Sequence, residues 1–171
     1  RDPDITTIGD MNLAVERARF EAPFFECKAL LRVDLKGCTN LTSVGTGAFW
    51  NCSSLTSVVL PESLTKIDMS VFQDCTSLTS MVLPDSLTEI GKWAFLRCSS
   101  LTSVVFPDSL TLIGENAFQV CTSLTSVEFS DSLTMLDESA FGECTSLTSM
   151  VLPDSLTQMG RLAFGDCTSL T

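Results

Sequence analysis

The sequence predicts a repeat solenoid, mainly β, in which short parallel strands stack coil upon coil and irregular or helical return segments close each turn. Three observations carry this. Cys52, Cys75, Cys98, Cys121, Cys144 and Cys167 are each separated by 23 residues. Whole segments recur with them: CTSLTSMVLPDSLTEIGKWAFLR, starting at Cys75, is followed by CSSLTSVVFPDSLTLIGENAF and CTSLTSVEFSDSLTMLDESAF. Within each segment the apolar positions alternate for only a few residues, so no unit can bury its own apolar edge and neighbours must cover it.

Taken in chain order, Pro3-Asp4-Ile5-Thr6-Thr7-Ile8-Gly9 aligns with Pro84-Asp85-Ser86-Leu87-Thr88-Glu89-Ile90-Gly91 with one residue dropped. An insertion of 11 residues follows within Asp10 to Phe20, where Asp10 is a suitable N-cap for a helix of about three turns. Residues 1–26 therefore divide off as an N-terminal half repeat with an inserted helix, and residues 27–171 as the solenoid. The helix reads either as a cap over the first coil or as a docking element for a partner. Cys27 lies 25 residues before Cys52, making this unit longer by two. Its Leu30, Val33 and Leu35 match Leu78, Met81 and Leu83, and Lys36 to Asn40 replace the turn. Leu41, Val44, Gly45, Ala48 and Phe49 then return to step.

In a regular unit, Leu78, Met81 and Leu83 point inward while Thr79, Ser80 and Val82 face out. Pro84-Asp85-Ser86 turns the chain, Pro presetting φ and Asp accepting from nearby amides. Leu87 to Ile90 forms a second extended piece. Gly91 and its equivalents Gly9, Gly45, Asp68, Gly114, Asp137 and Gly160 suggest a positive-φ corner. The return segment carries Ala94, Phe95 and the cysteine. At the far end the chain stops at Thr171 with no cap in sight, which predicts further chain or a covering partner.

The pattern Leu-x-x-Val-x-Leu-Pro-x-x-Leu-x-x-Ile-Gly-x-x-Ala-Phe-x-x-Cys is most complete from Leu78 to Cys98. It resembles the leucine-rich repeat of the BspA-like, Treponema-type family with 23-residue repeats. The likeness covers nearly the whole chain except the insertion. Departures are modest: Val71 stands for the Ala, Ser130 for the Pro, and Asp68 and Asp137 for the Gly. The resemblance implies a leucine-rich repeat stack that binds proteins, as an interaction module or surface adhesin, without enzymatic activity. It names no ligand.

Composition narrows function from another side. The 171 residues hold 10 Lys plus Arg against 21 Asp plus Glu, a net charge of −11, with a pI near 4.2. Such a surface disfavours nucleic acid and anionic membranes. No apolar run reaches the roughly 18 residues of a membrane helix, and no signal peptide opens the sequence. Histidine and tyrosine are both absent. That removes Ser-His-Asp and Cys-His pairs and His-ligated metals. No catalytic residue, cofactor or metal site is expected. The compartment is left open.

Four candidate features remain. Seven cysteines (Cys27, Cys52, Cys75, Cys98, Cys121, Cys144 and Cys167) share one repeat phase. Stacked about 4.8 Å apart, they suit a buried column better than disulfides or a tetrahedral zinc cage. Cys38 stands outside that column in the irregular turn and reads as the one exposed or reactive thiol. Glu62, Asp85, Asp108, Asp131 and Asp154 form an acidic row, either a Ca²⁺ site or caps for their own turns. The charge is lopsided: Ser99 to Gly160 contains no Lys or Arg.

The third feature is an outward row of Val59, Val82, Val105 and Val151, interrupted by Glu128 and flanked by Thr56, Ser57, Thr79, Ser80, Thr102 and Ser103. Strand propensity explains it, and so does a flat protein-binding surface. Fourth, Trp50 and Trp93 occupy non-core positions and are candidate interface anchors. Asn40-Leu41-Thr42 and Asn51-Cys52-Ser53 are sequons that matter only in a secreted protein. The reading is a non-catalytic protein-binding module, an interaction or scaffold subunit of a larger assembly. The alternative is a secreted or cell-surface adhesin. The partner is another protein, with neither nucleic acid nor membrane insertion involved.

Overall fold

The computed structural model describes the backbone of Thr7–Ile8 and residues 24–171. The expected helix within Asp10 to Phe20, and the cap it would form, lie outside the described residues. Among those described, no helix occurs and thirteen short strands follow one another: β1 (Thr7–Ile8), β2 (Arg32–Asp34), β3 (Ser43–Val44), β4 (Ser57–Val59), β5 (Lys66–Ile67), β6 (Ser80–Val82), β7 (Glu89–Ile90), β8 (Ser103–Val105), β9 (Leu112–Ile113), β10 (Ser126–Glu128), β11 (Met135–Leu136), β12 (Ser149–Val151) and β13 (Gln158–Met159). From β2 onward they alternate between two parallel sheets. The first has the order β1-β2-β4-β6-β8-β10-β12, the second β3-β5-β7-β9-β11-β13. Each step within a sheet advances one coil.

The register follows the repeat. Met81 pairs with Val104 and Val82 with Val105 in the first sheet, and Ile90 pairs with Ile113 in the second. The irregular early coil falls in line, since Val33 pairs with Val58 and Val44 with Ile67. One alignment does not hold. The alignment with Glu89-Ile90 places Thr7–Ile8 in the second sheet, yet Ile8 pairs with Val33 of the first. A dipeptide before a glycine is too short to distinguish the two strand types.

The interior is a set of columns. Phe24, Phe49, Phe72, Phe95, Phe118, Phe141 and Phe164 stack face to face at 4.9–5.5 Å between neighbouring centroids. Phe106 and Phe129 begin a shorter second stack, 5.7 Å apart, whose rings meet the first edge-on. Beside them runs the cysteine column. The Cys75 thiol donates to the Phe49 carbonyl at 3.2 Å, Cys98 to Phe72 at 3.2 Å, and Cys121 to Phe95 at 3.3 Å. Each thiol thus satisfies a carbonyl of the coil before it, and the seven column cysteines form no disulfide. Burial pushes the Cys52 and Cys121 thiols up to about 12, and holds Cys75 and Cys98 well above the ordinary value.

The return segments are irregular turns bonded in the opposite sense to the second sheet. In the second sheet, later coils donate backward, as Thr88 N does to Thr65 O at 2.9 Å. In the return segment, earlier coils donate forward: Phe72 N to Ala94 O at 2.8 Å, Phe95 N to Ala117 O at 2.7 Å. Reversing the amide direction requires left-handed residues, and these form two columns. One contains Gly47, Ser70, Trp93, Asn116, Ser139 and Leu162; the other contains Asn51, Asp74, Arg97, Val120, Glu143 and Asp166. The expected positive-φ corner at Gly91 and its equivalents is therefore displaced by two residues or more. What demands glycine there is space. A Cβ on Gly91 would sit 2.9 Å from the main chain of Ile67 and Asp68, and one on Gly114 2.9 Å from Lys92 N.

Candidate functional site

Strand pairing sets the outward residues of the first sheet in one row. Asp34 lies opposite Val59, Val59 opposite Val82, Val82 opposite Val105, Val105 opposite Glu128, and Glu128 opposite Val151. Alternation forces this arrangement: Val58, Met81, Val104 and Val127 face the core, so the residue after each must face solvent. Val82 is 83% exposed, Val105 67%, Val151 82% and Val59 39%. The same alternation puts Ser57, Ser80, Ser103, Ser126 and Ser149 on the outer face two residues earlier. The result is an apolar row three coils long between two carboxylates, then a fourth valine beyond Glu128. Asp34 was missed from sequence, although matching Val33 and Leu35 to Met81 and Leu83 places it at the Val82 position.

The flanking threonines serve the fold. Thr102 Oγ1 donates to Thr79 O at 3.1 Å, and Thr125 Oγ1 to Thr102 O at 3.2 Å. A second ladder runs through Thr65, Thr88 and Thr111 at 3.0–3.1 Å. Serines do the same at the turns: Ser86 Oγ reaches Leu64 O at 2.7 Å and Ser109 Oγ reaches Leu87 O at 2.6 Å. These hydroxyls tie coil to coil, which composition alone did not reveal.

The acidic row falls at the exposed turns just beyond the valines, with Glu62, Asp85, Asp108, Asp131 and Asp154 all facing solvent. The side-chain hydrogen bonds recorded at these turns come from the serines rather than from carboxylates capping turn amides. Among the described residues, no group of three or more Cys, Asp or Glu is placed to hold a metal ion. One carboxylate per coil gives a line and no cage.

The tryptophans sit elsewhere, on the return segments. Trp50 packs edge-on to Phe25 at 5.2 Å, and its Nε1 donates to Asp74 Oδ2 at 3.2 Å. The Trp93 ring carries Lys92 Nζ 4.3 Å from its centroid, and that ammonium also meets Glu115 at 2.6 Å. Neither joins the valine row, and both already have intramolecular partners. Cys38 is buried at 4% exposure, so the expectation of an exposed thiol fails. The early turn folds inward: Cys38 N donates to Leu35 O at 2.9 Å, and Leu41 N to Cys38 O at 3.0 Å. Cys27, at the start of the column, is the half-buried one.

Comparison with known proteins agrees with this architecture. The model of the BspA type leucine rich repeat region matches six copies over residues 42–171. A leucine-rich repeat protein of T. pallidum superposes with a TM-score of 0.81 at 34% identity, covering 86% of this chain and 68% of its own. A leucine-rich cell surface protein of Faecalibacterium prausnitzii gives 0.74 at 34% identity, over 83% of this chain but only 38% of its own. A leucine-rich repeat protein of Eubacterium ventriosum, 16% identical with a TM-score of 0.58, shares the fold. No protein of curated function matches the chain significantly. Repeat period, solenoid topology and these matches agree: the chain belongs to the BspA-type leucine-rich repeat family.

Proposed function

We propose that this chain is a non-catalytic protein-binding module whose contact surface is the outward face of the first sheet, centred on Val59, Val82 and Val105 and extending to Val151. The observation that carries it is the contrast between two sheets of the same construction. The outward row of the second sheet holds Ser43, Lys66, Glu89, Leu112, Met135 and Gln158, with no β-branched residue among them. Strand propensity acts on both sheets alike. It gives no reason for valine in one alone, whereas a partner that desolvates one face does. Trp50 and Trp93 are secondary contacts on the return side, worth less than free aromatic anchors because each is already engaged.

Absence of histidine and a line of isolated carboxylates support the non-catalytic reading. The module would serve as an interaction subunit of a larger assembly. A second reading, a cell-surface adhesin, draws support from the F. prausnitzii relative, which is described as a cell surface protein. The test is Val82→Glu with Val105→Glu, compared with wild type in capture from an extract of the source cells. Both side chains are exposed, so thermal unfolding should stay close to wild type while the captured proteins are lost. Unchanged capture by the folded variant would overturn the assignment of the surface.

A further inference from the structure

Resting on the valine row as the contact surface, we propose that its occupant is an amphipathic helix with a basic flank, lying along the solenoid axis with one helical turn per coil. The geometry of the row selects the helix. Coils paired as parallel strands repeat about every 4.8 Å. Residues one turn apart on an α-helix repeat about every 5.4 Å, so the mismatch is about 0.6 Å per coil and about 2.4 Å over five coils. Same-face residues of an extended strand repeat about every 6.7 Å, which loses a whole coil of register over the same span. A polyproline helix advances about 9.3 Å per turn and meets only every second coil. The row is apolar on three consecutive coils, which a helix alone matches residue for residue.

Charge specifies the rest of the partner. The row runs Asp34, Val59, Val82, Val105, Glu128, Val151, so carboxylates close the apolar stretch at both ends. Beside it, along the adjoining turns, Asp85, Asp108 and Asp131 are exposed one per coil. Ser99 to Gly160 contains no cation, and among the described residues none of the ion pairs involves Glu128. A helix suited to this face carries apolar residues at successive turns on the valines and Lys or Arg along the flank toward the turns. It places one more cation within the apolar line, opposite Glu128. That single charge fixes the register, because sliding by one coil would bury a carboxylate against an apolar side chain. The acidic field also speeds encounter with such a segment.

Two synthetic peptides of identical composition test this. One places leucines at one-turn intervals with lysines on one flank and one lysine in the leucine line. The other alternates leucine and lysine to favour a strand. The helical peptide should bind the folded protein with an affinity that falls as salt rises, and the alternating peptide should not. Glu128→Lys should weaken the helical peptide about fivefold, the scale of one exposed ion pair. A peptide with glutamate for the in-line lysine should recover that loss on Glu128→Lys alone. Equal binding of both peptides, no binding of the helical one, or indifference to Glu128→Lys overturns the proposal. If the helical peptide fails while Val82→Glu with Val105→Glu still abolishes capture from cell extract, the valine surface stands and only the helix is refuted.

Discussion

The two sheets share one interior and one construction, yet they present different faces to solvent. In the second, the middle of the outward row, from Lys66 to Met135, is half-buried and partly self-satisfied: Lys66 Nζ meets Glu89 at 3.0 Å and Asp68 at 3.5 Å. In the first, Val82 and Val105 stand 83% and 67% exposed. The difference teaches where selection for folding ends. Folding needs only the inward half of each strand, the ladders of threonine and serine hydroxyls, and the stacked rings. The outward half need not be β-branched, as Ser43, Lys66, Glu89, Leu112, Met135 and Gln158 of the second sheet demonstrate, so a row of exposed valines calls for a separate cause.

The interior sets the scale against which either face is judged. Phe118 stacks on Phe95 at 4.9 Å and Phe141 at 5.1 Å, and meets Phe106 edge-on at 5.6 Å. Phe118→Ala should cost about 3–5 kcal/mol in denaturant unfolding. A loss comparable to that of an outward substitution would mean the columns are loosely packed and the inside-outside contrast is false.

The thiol column sharpens the same contrast through pH. Burial raises Cys52 and Cys121 from 9.0 to about 12, so the native state keeps protons that the unfolded chain releases. Their contribution is intact below pH 9 and is lost as pH climbs from 9 towards 12. Each such thiol removes up to about 1.4 kcal/mol per pH unit in that window. Denaturation midpoints at pH 8, 9, 10 and 11 should fall progressively, and Cys121→Ala should flatten the slope. A flat profile would mean that water reaches the column.

Much of this was legible in the residues. The period of 23, the inward Leu78, Met81 and Leu83, and the valine row could be read because strand alternation is a local rule repeated six times over. Hydrogen-bond direction was not legible. Nothing in Ala94-Phe95 announces that its amide will donate forward to the next coil, so the sequence does not mark Trp93 and Arg97 as left-handed, and the expectation of positive φ falls on Gly91 instead. Cys38 was misjudged because an irregular turn says nothing about which of its side chains folds inward. Asp34 is legible, since Val33 and Leu35 on either side of it match Met81 and Leu83.

The glycine correction makes a smaller prediction. Gly91→Ala should destabilise by about 1–3 kcal/mol, since its Cβ would press at 2.9 Å on the main chain of Ile67 and Asp68, which must shift to admit it. Gly142→Ala, where the nearest atoms lie at 3.4 Å, should be neutral or slightly stabilising. Asp68 and Asp137 show that the coil can open enough for a Cβ at this position, which keeps the expected cost at the overpacking scale. If Gly91→Ala were neutral too, the corner between the second sheet and the return segment would be slack, and the closely paired second sheet would lose its role as a rigid reference.

The smallest stability effect carries the most information about the two faces. Threonine has nearly the shape of valine, and its β-branching gives it a similar preference for strands. Val82→Thr with Val105→Thr therefore keeps whatever strand propensity supplies and removes only the apolar surface. Unfolding should shift by no more than about 0.5 kcal/mol, as for other exposed sites. If propensity were the sole reason for valine here, capture of partner proteins would be unchanged as well. The contrast between the sheets predicts instead that capture falls while stability holds, because the second sheet folds in the same register without any outward valine.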